Sequence, residues 1–183
     1  MLAFDLETTG TEPTRDLVTC AAVYDRAAGI ERVFFFARLD ECGELVPVLD
    51  DAGAFMRYLD DADRICAFNG ARFDLPFLRH QLGASREQLA AWRGKLHDVY
   101  EGCRLALCVS FSLKELLELN GLPGKTGSGM DAIELARRGE WDRLGEYCLN
   151  DTRVTHAVSS LDRILVPRTR GVCMDSLGNF TAS

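Results

Sequence analysis

The side chains in this sequence best suited to chemistry are carboxylates. Asp5 and Glu7 flank Leu6 in the opening run Leu2-Ala3-Phe4-Asp5-Leu6-Glu7. On a strand, alternate side chains share a face, so Asp5 and Glu7 point one way and Phe4 and Leu6 the other. Two carboxylates side by side repel each other and lose hydration. A central strand that carries them needs a compensating cation, and hard oxygen ligands suit magnesium or manganese. An edge strand with a wet acidic face would carry the same pair without one. Asp74 lies in Phe68-Asn69-Gly70-Ala71-Arg72-Phe73-Asp74, where an apolar run has ended and a helical pattern begins. Open α/β sheets place ligands at that edge, although the ordinary role of an Asp there is to cap the helix. Arg72 beside it is within reach of a phosphate. Tyr147 and Asp151 stand four residues apart in a helical stretch and so face the same way. Taken alone, they fit a half-buried tyrosine beside a solvated aspartate.

The elements that must position these groups follow from the pattern. Residues 2–7 read as a first strand, 17–26 as a second and 31–39 as a third, with Ala27-Ala28-Gly29 as a hairpin turn. Phe55, Met56 and Leu59 recur at helical spacing within 50–60. The apolar run 64–69 reads as a short buried parallel strand closed by Gly70. Residues 73–81 form a helix with Pro76 tolerated in its first turn, 85–92 a short helix and 95–100 a last strand. Ser112 and Glu115 form a capping box for a helix over 112–120, which Gly121 stops. A flexible loop over 122–129 follows. Helices are expected over 130–138 and 141–165, then a partly ordered tail. The sum is an α/β domain over 1–166, with a mixed five-stranded sheet covered by helices on both faces, and a C-terminal tail over 167–183.

Composition narrows the field. The chain has 183 residues, 47% of them hydrophobic and 27% charged, enough for one domain with a proper core. No apolar run approaches the length of a membrane span, and no membrane partner is expected. No basic region precedes the first strand, so no signal peptide is expected. Seven cysteines with no C-x-x-C pair argue for free thiols in a reducing compartment, cytoplasmic or nuclear, and against a zinc site or disulfide framework. A formal charge of −7 excludes one broad basic face. Any nucleic acid must then be held in a local groove with the help of bound cations. Gly124-Lys125-Thr126 is not a phosphate-binding P-loop, because position 119 is Leu and a helix precedes it. A lysine in such a loop is ordinarily solvated. Asp98, at the end of the last strand, is expected to cap a helix or to support the acidic site.

The acid pair, the later Asp74 and the Tyr-x-x-x-Asp near the C-terminus occur in an order that resembles the DEDDy branch of the 3′–5′ exonucleases, whose fold is ribonuclease H-like. The match runs from Asp5 to Asp151, about four fifths of the chain. It looks closest to stand-alone relatives of the proofreading domain of family B DNA polymerases. In the sister branch a His five residues before the last Asp replaces the Tyr, and here that position is Glu146. The resemblance implies that Asp5, Glu7, Asp74 and Asp151 hold two divalent ions, Mg2+ or Mn2+, about 4 Å apart on the scissile phosphate. Tyr147 would orient the attacking water. Thr8 and Thr9 would touch the terminal nucleotide, Asn69 and Phe73 would line the groove, and Lys125 would meet a phosphate. The implied partner is the 3′ end of single-stranded DNA or RNA, with DNA favoured, and the product is mononucleotides. An inactive nucleic-acid-binding module and a ribonuclease H-type endonuclease are the alternatives.

Overall fold

The computed structural model describes residues 1–125, 127, 129–167, 172–175 and 180–182. β1 (Leu2–Thr8), β2 (Val18–Asp25) and β3 (Ile30–Phe35) form an antiparallel meander. Gly29 makes the second turn with φ of 66°, in the left-handed region that glycine enters freely. The chain then leaves the main sheet. β4 (Ala37–Leu39) pairs with β5 (Leu45–Pro47) in a separate two-stranded ribbon. The single strand expected over 31–39 is therefore two. Phe36, fully buried, is the break: its N–H goes to the Thr19 carbonyl and its carbonyl accepts from Val48 N–H.

α1 (Ala52–Asp61) leads to β6 (Ile65–Ala67), which lies parallel to β1. α2 (Asp74–His80) and α3 (Arg86–Lys95) follow, the latter opened by a Ser85–Gln88 capping box. β7 (Leu96–Asp98) runs parallel to β6. The main sheet is mixed and five-stranded, in the order β3-β2-β1-β6-β7. β1 is central, flanked antiparallel by β2 and parallel by β6, which excludes an edge strand with a wet acidic face.

α4 (Val99–Leu107) was not expected from the sequence. Its start signal is Asp98, whose side chain accepts from Glu101 N–H. α5 (Leu113–Leu119) has the expected Ser112–Glu115 capping box. α6 (Gly129–Arg137) and α7 (Trp141–Ser159) close the domain. α7 ends earlier than the expected 165, capped by Ser160, whose N–H and hydroxyl both donate to the His156 carbonyl of the last turn. β8 (Arg163–Leu165) follows instead. Asn120 holds that strand as a mock partner: its amide donates to the Leu165 carbonyl and its side-chain oxygen accepts from Leu165 N–H. β9 (Val172–Asp175) and β10 (Phe180–Ala182) join β8 in a three-stranded antiparallel sheet. The rest of the expected tail, 168–171, 176–179 and 183, lies outside the described residues.

Helices cover both faces of the main sheet. On one, Leu2, Phe4 and Leu6 pack with Phe55 and Leu59 of α1, Phe77 and Leu78 of α2 and Trp92 of α3. On the other, Cys20 and Ala22 of β2 and Val33 and Phe35 of β3 meet α6 and α7. That second interface is close. A β-carbon on Gly145 of α7 would lie 3.0 Å from the Phe35 ring and 3.3 Å from Val33. This explains a glycine in mid-helix, where it otherwise costs about 1 kcal/mol relative to alanine.

Candidate active site

Three separated segments deliver four carboxylates to one cavity of about 700 Å³. Asp5 and Glu7 come from β1, on the side facing α7. β6 pairs only with Leu2 and Ala3, so the second half of β1 lacks a backbone partner on that flank. Asp74 fills the gap: its Oδ1 accepts from Leu6 N–H at 3.1 Å. It is therefore not a helix cap, and α2 has no side-chain cap at all. Gly70 lets it approach. A β-carbon there would meet Ala67 Cβ at 2.5 Å and Asp74 Oδ2 at 3.3 Å. The loop before α2 is tied to the last strand by Asp98, which accepts from Asn69 N–H (3.0 Å) and Ala71 N–H (2.9 Å) as well as capping α4. Asn69 takes φ of 66° to make this turn, a region Asn tolerates better than most residues. Asp98 thus both caps and supports, positioning the Asp74 loop through backbone hydrogen bonds.

On the other flank, β1 and β2 slip register after Glu7, so that Glu7 faces Cys20 but Thr8 faces Val18. Thr19 is the extra residue, and its hydroxyl donates to the Glu7 carbonyl. Bulges of this kind re-aim side chains beside functional sites. Asp151 comes from α7 and is only 2% exposed, as is Asp74. A solvated aspartate is thereby excluded. Tyr147, one turn earlier, is also buried, and its hydroxyl has no hydrogen-bond partner among the described residues. Asp151 Oδ1 has none either. Lys125, expected in solvent, instead reaches Asp151 Oδ2 at 2.5 Å, with its ammonium 5.4 Å from the centre of the Tyr147 ring.

The electrostatics are those of a site in which four carboxylates outnumber the one lysine, Lys125, paired with them. Asp5 is held well above the ordinary aspartate range by burial, then by Asp74 and Asp151. Glu7 is raised by burial, then by Asp5 and Asp151. Asp74 is pushed up to about 7 by burial and by Asp98. Burial raises Asp151 too, against the pull of Lys125. Lys125 itself sits above the ordinary lysine value, because Asp151 outweighs its desolvation. Tyr147 is raised by burial and by Asp151. Crowded, buried oxygens with unmet lone pairs are the donor set a hard divalent cation satisfies, and Asp5, Glu7, Asp74 and Asp151 fit such a group.

The remaining expected site residues divide. Thr8, Asn69, Phe73 and Lys125 line the same cavity. Thr9 and Arg72 are not among its lining residues. Thr9 is occupied with the Leu17 backbone, to which it both donates through N–H and accepts through its hydroxyl, and the Arg72 side chain is exposed. The structure adds Phe68, Leu113, Met130 and Ile133 as apolar wall, residues with no chemical signature of their own. It also adds Cys148, whose Sγ lies with one carboxylate oxygen each of Asp5 and Glu7 in a cluster spanning no more than 4.8 Å. The available signal was its place three residues before Asp151 on the same helix face.

A mixed five-stranded sheet with acids on its central strand and on its last long helix defines a ribonuclease H-like α/β fold. The RNase_H superfamily model matches residues 2–161, and the chain belongs to that superfamily. Among solved structures, it is similar to the family B DNA polymerase from the hyperthermophilic archaeon Pyrobaculum calidifontis, with 20% identity and a TM-score of 0.59 over 86% of this chain and 24% of the polymerase. It is also similar to a nuclease in its apo form, with 21% identity and a TM-score of 0.55 over 85% of this chain and 68% of the other. No curated protein matches the sequence. This chain spans about a quarter of the polymerase's length. No helix among the described residues is long and apolar enough to cross a membrane.

Proposed function

We propose that the protein is a metal-dependent 3′–5′ exonuclease of the DEDDy type, with residues 1–166 as its catalytic unit, releasing mononucleotides from single-stranded nucleic acid, DNA in preference to RNA. The observation that carries this reading is the convergence of Asp5, Glu7, Asp74 and Asp151 on one cavity, with Tyr147, whose hydroxyl has no hydrogen-bond partner among the described residues, one helical turn before Asp151. The four carboxylates would hold two Mg2+ or Mn2+ ions. When bound, such ions lower the pKa of a coordinated water and stabilise both the attacking and the leaving oxygen. Tyr147 is poorly suited to act as a base, since its environment favours the protonated phenol. Its hydroxyl instead orients the water by a hydrogen bond. Lys125 pairs with Asp151 in the metal-free protein and would meet a substrate phosphate once that carboxylate is engaged elsewhere. Thr8 contacts the terminal nucleotide, while Asn69 and Phe73 line the groove, with Phe73 packing against a base. Thr9 and Arg72 would act only from outside the cavity. Few cations surround it, so a short single strand is favoured over a duplex, whose phosphates demand many cationic contacts. Six described cysteines are free thiols, in keeping with a reducing cytoplasmic or nuclear setting.

The test is a 5′-labelled oligonucleotide, as DNA and as RNA, followed over time with Mg2+ and with Mn2+. A ladder descending one nucleotide at a time is expected. Internal cuts in a circular strand would reassign the protein as an endonuclease. Binding without cleavage in either metal would make it an inactive binding module.

A further inference from the structure

Cys148 has no role in the reaction proposed above, yet it is fully buried on the face of α7 that covers the acidic half of β1. Its Sγ donates to the Asp5 carbonyl at 3.6 Å and shares the 4.8 Å cluster with the Asp5 and Glu7 carboxylates. One further oxygen on the cavity lined by Asp5 and Glu7 has no hydrogen-bond partner among the described residues: Asp151 Oδ1, on a side chain more than nine-tenths buried. We propose that Asp5, Glu7 and Cys148 form a mixed carboxylate–thiolate site for a thiophilic divalent cation of the zinc class, overlapping the site for hard cations.

Softness supplies the selectivity. Carboxylates alone suit Mg2+ and Mn2+, whereas one thiolate shifts preference strongly toward Zn2+, which also binds N, O and S donors more tightly than Mn2+ does. Zinc–oxygen distances of about 2.0 Å and a zinc–sulfur distance of about 2.3 Å place tetrahedral ligand atoms roughly 3.5 Å apart. Atoms already gathered within 4.8 Å are within side-chain rotation of that arrangement. On binding, the Cys148 S–H bond breaks, a metal–sulfur bond forms and one proton leaves to solvent. The hydrogen bond to the Asp5 carbonyl is given up, and no electron is transferred. Because Asp5 and Glu7 serve both sites, zinc excludes the hard cations and inhibits. The inhibition rests on the nuclease reading. The binding does not.

The experiment uses the full chain, stripped with chelator and titrated with Co2+ as a spectroscopic stand-in for zinc. A thiolate-to-cobalt charge-transfer band is expected in the near ultraviolet and should be displaced by Zn2+. It should persist in Cys20→Ala, whose thiol adjoins that of Cys148, and in a Cys42→Ser/Cys108→Ser variant that removes the exposed thiols among the described residues. It should vanish in Cys148→Ala, where Zn2+ affinity falls by roughly tenfold or more while Mn2+ affinity is unchanged. Cobalt bound without the band, loss of the band in either control variant, or equal Zn2+ affinity in Cys148→Ala would overturn the site. Loss of the band in a control variant overturns the site even if Cys148→Ala does not fold. Absence of cleavage with any metal would overturn the nuclease reading and leave the cobalt result standing.

Discussion

β1 presents two faces that solve opposite problems. Leu2, Phe4 and Leu6 meet Phe55, Leu59, Phe77 and Trp92 in a dry core, where every contact is satisfied by packing. One residue out of phase, Asp5 and Glu7 meet the Cys148 thiol of α7, and Gly145 on the same helix lets α7 close against Val33 and Phe35 of the neighbouring β3. The apolar face is stabilised by what is buried there. The acidic face is destabilised by it, since burial and mutual repulsion hold Asp5, Glu7 and Asp74 above their ordinary range. A period of two along one strand therefore separates the part of the chain that holds the fold from the part that has a use for a cation.

Substitutions on the two faces should fail in different currencies. The largest effect is expected from Asp5→Asn, which should lower cleavage by at least ~10³-fold while leaving the metal-free protein as stable as before or slightly more so. Wild-type turnover by the purified variant would remove Asp5 from the site. Phe4→Ala on the opposite face should do the reverse. It should cost about 3–5 kcal/mol of stability, read by denaturant melts, with turnover per folded molecule nearly unchanged. A stability loss confined to the Asp5 variant would break the comparison.

Tyr147→Phe should slow turnover by roughly ten- to a thousandfold without loss of metal affinity, because only the hydroxyl is removed. An unchanged turnover number at saturating substrate would return Tyr147 to a packing role.

The smallest effect is a pH dependence of the metal-free protein. Acids raised in the folded state bind protons more tightly there than when unfolded, so stability falls as pH rises from the ordinary carboxylate range, near ~4, to about 7, the value for Asp74. Between pH 5.5 and 8 the chelated protein should lose on the order of 2 kcal/mol. His156, pushed down by burial, works the other way and trims that slope. Excess Mg2+ or Mn2+ at pH 8 should restore the loss. A slope that Asp74→Asn leaves unaltered would separate this effect from the acidic face.

The strands of the main sheet were legible because period-two alternation and the Gly29 turn are local properties. So were the Ser112–Glu115 box and the Pro76 helix, where a few neighbouring residues satisfy backbone groups within reach. What local pattern missed was set at a distance. The break at Phe36 depends on Thr19 and Val48 taking over its backbone bonds. The strand after α7 depends on Asn120, forty-five residues away, as its partner. The start of α4 was hidden in Asp98, an ambiguous cap until its second role, holding Asn69 and Ala71, was visible.

The same division runs through the site. The sequence by itself determined that Asp5 and Glu7 share a face and that Tyr147 and Asp151 share another, since strand and helix periods are properties of the backbone. It also determined the order of the acids, on which the family resemblance rests. Only the tertiary structure decided that Asp74 binds Leu6 N–H rather than capping its own helix, because that depends on how short β6 is. Only the fold carries Lys125 out of solvent to Asp151 and Cys148 to within 4.8 Å of the acid pair. These are long-range juxtapositions, and a pattern read over neighbouring residues has no access to them.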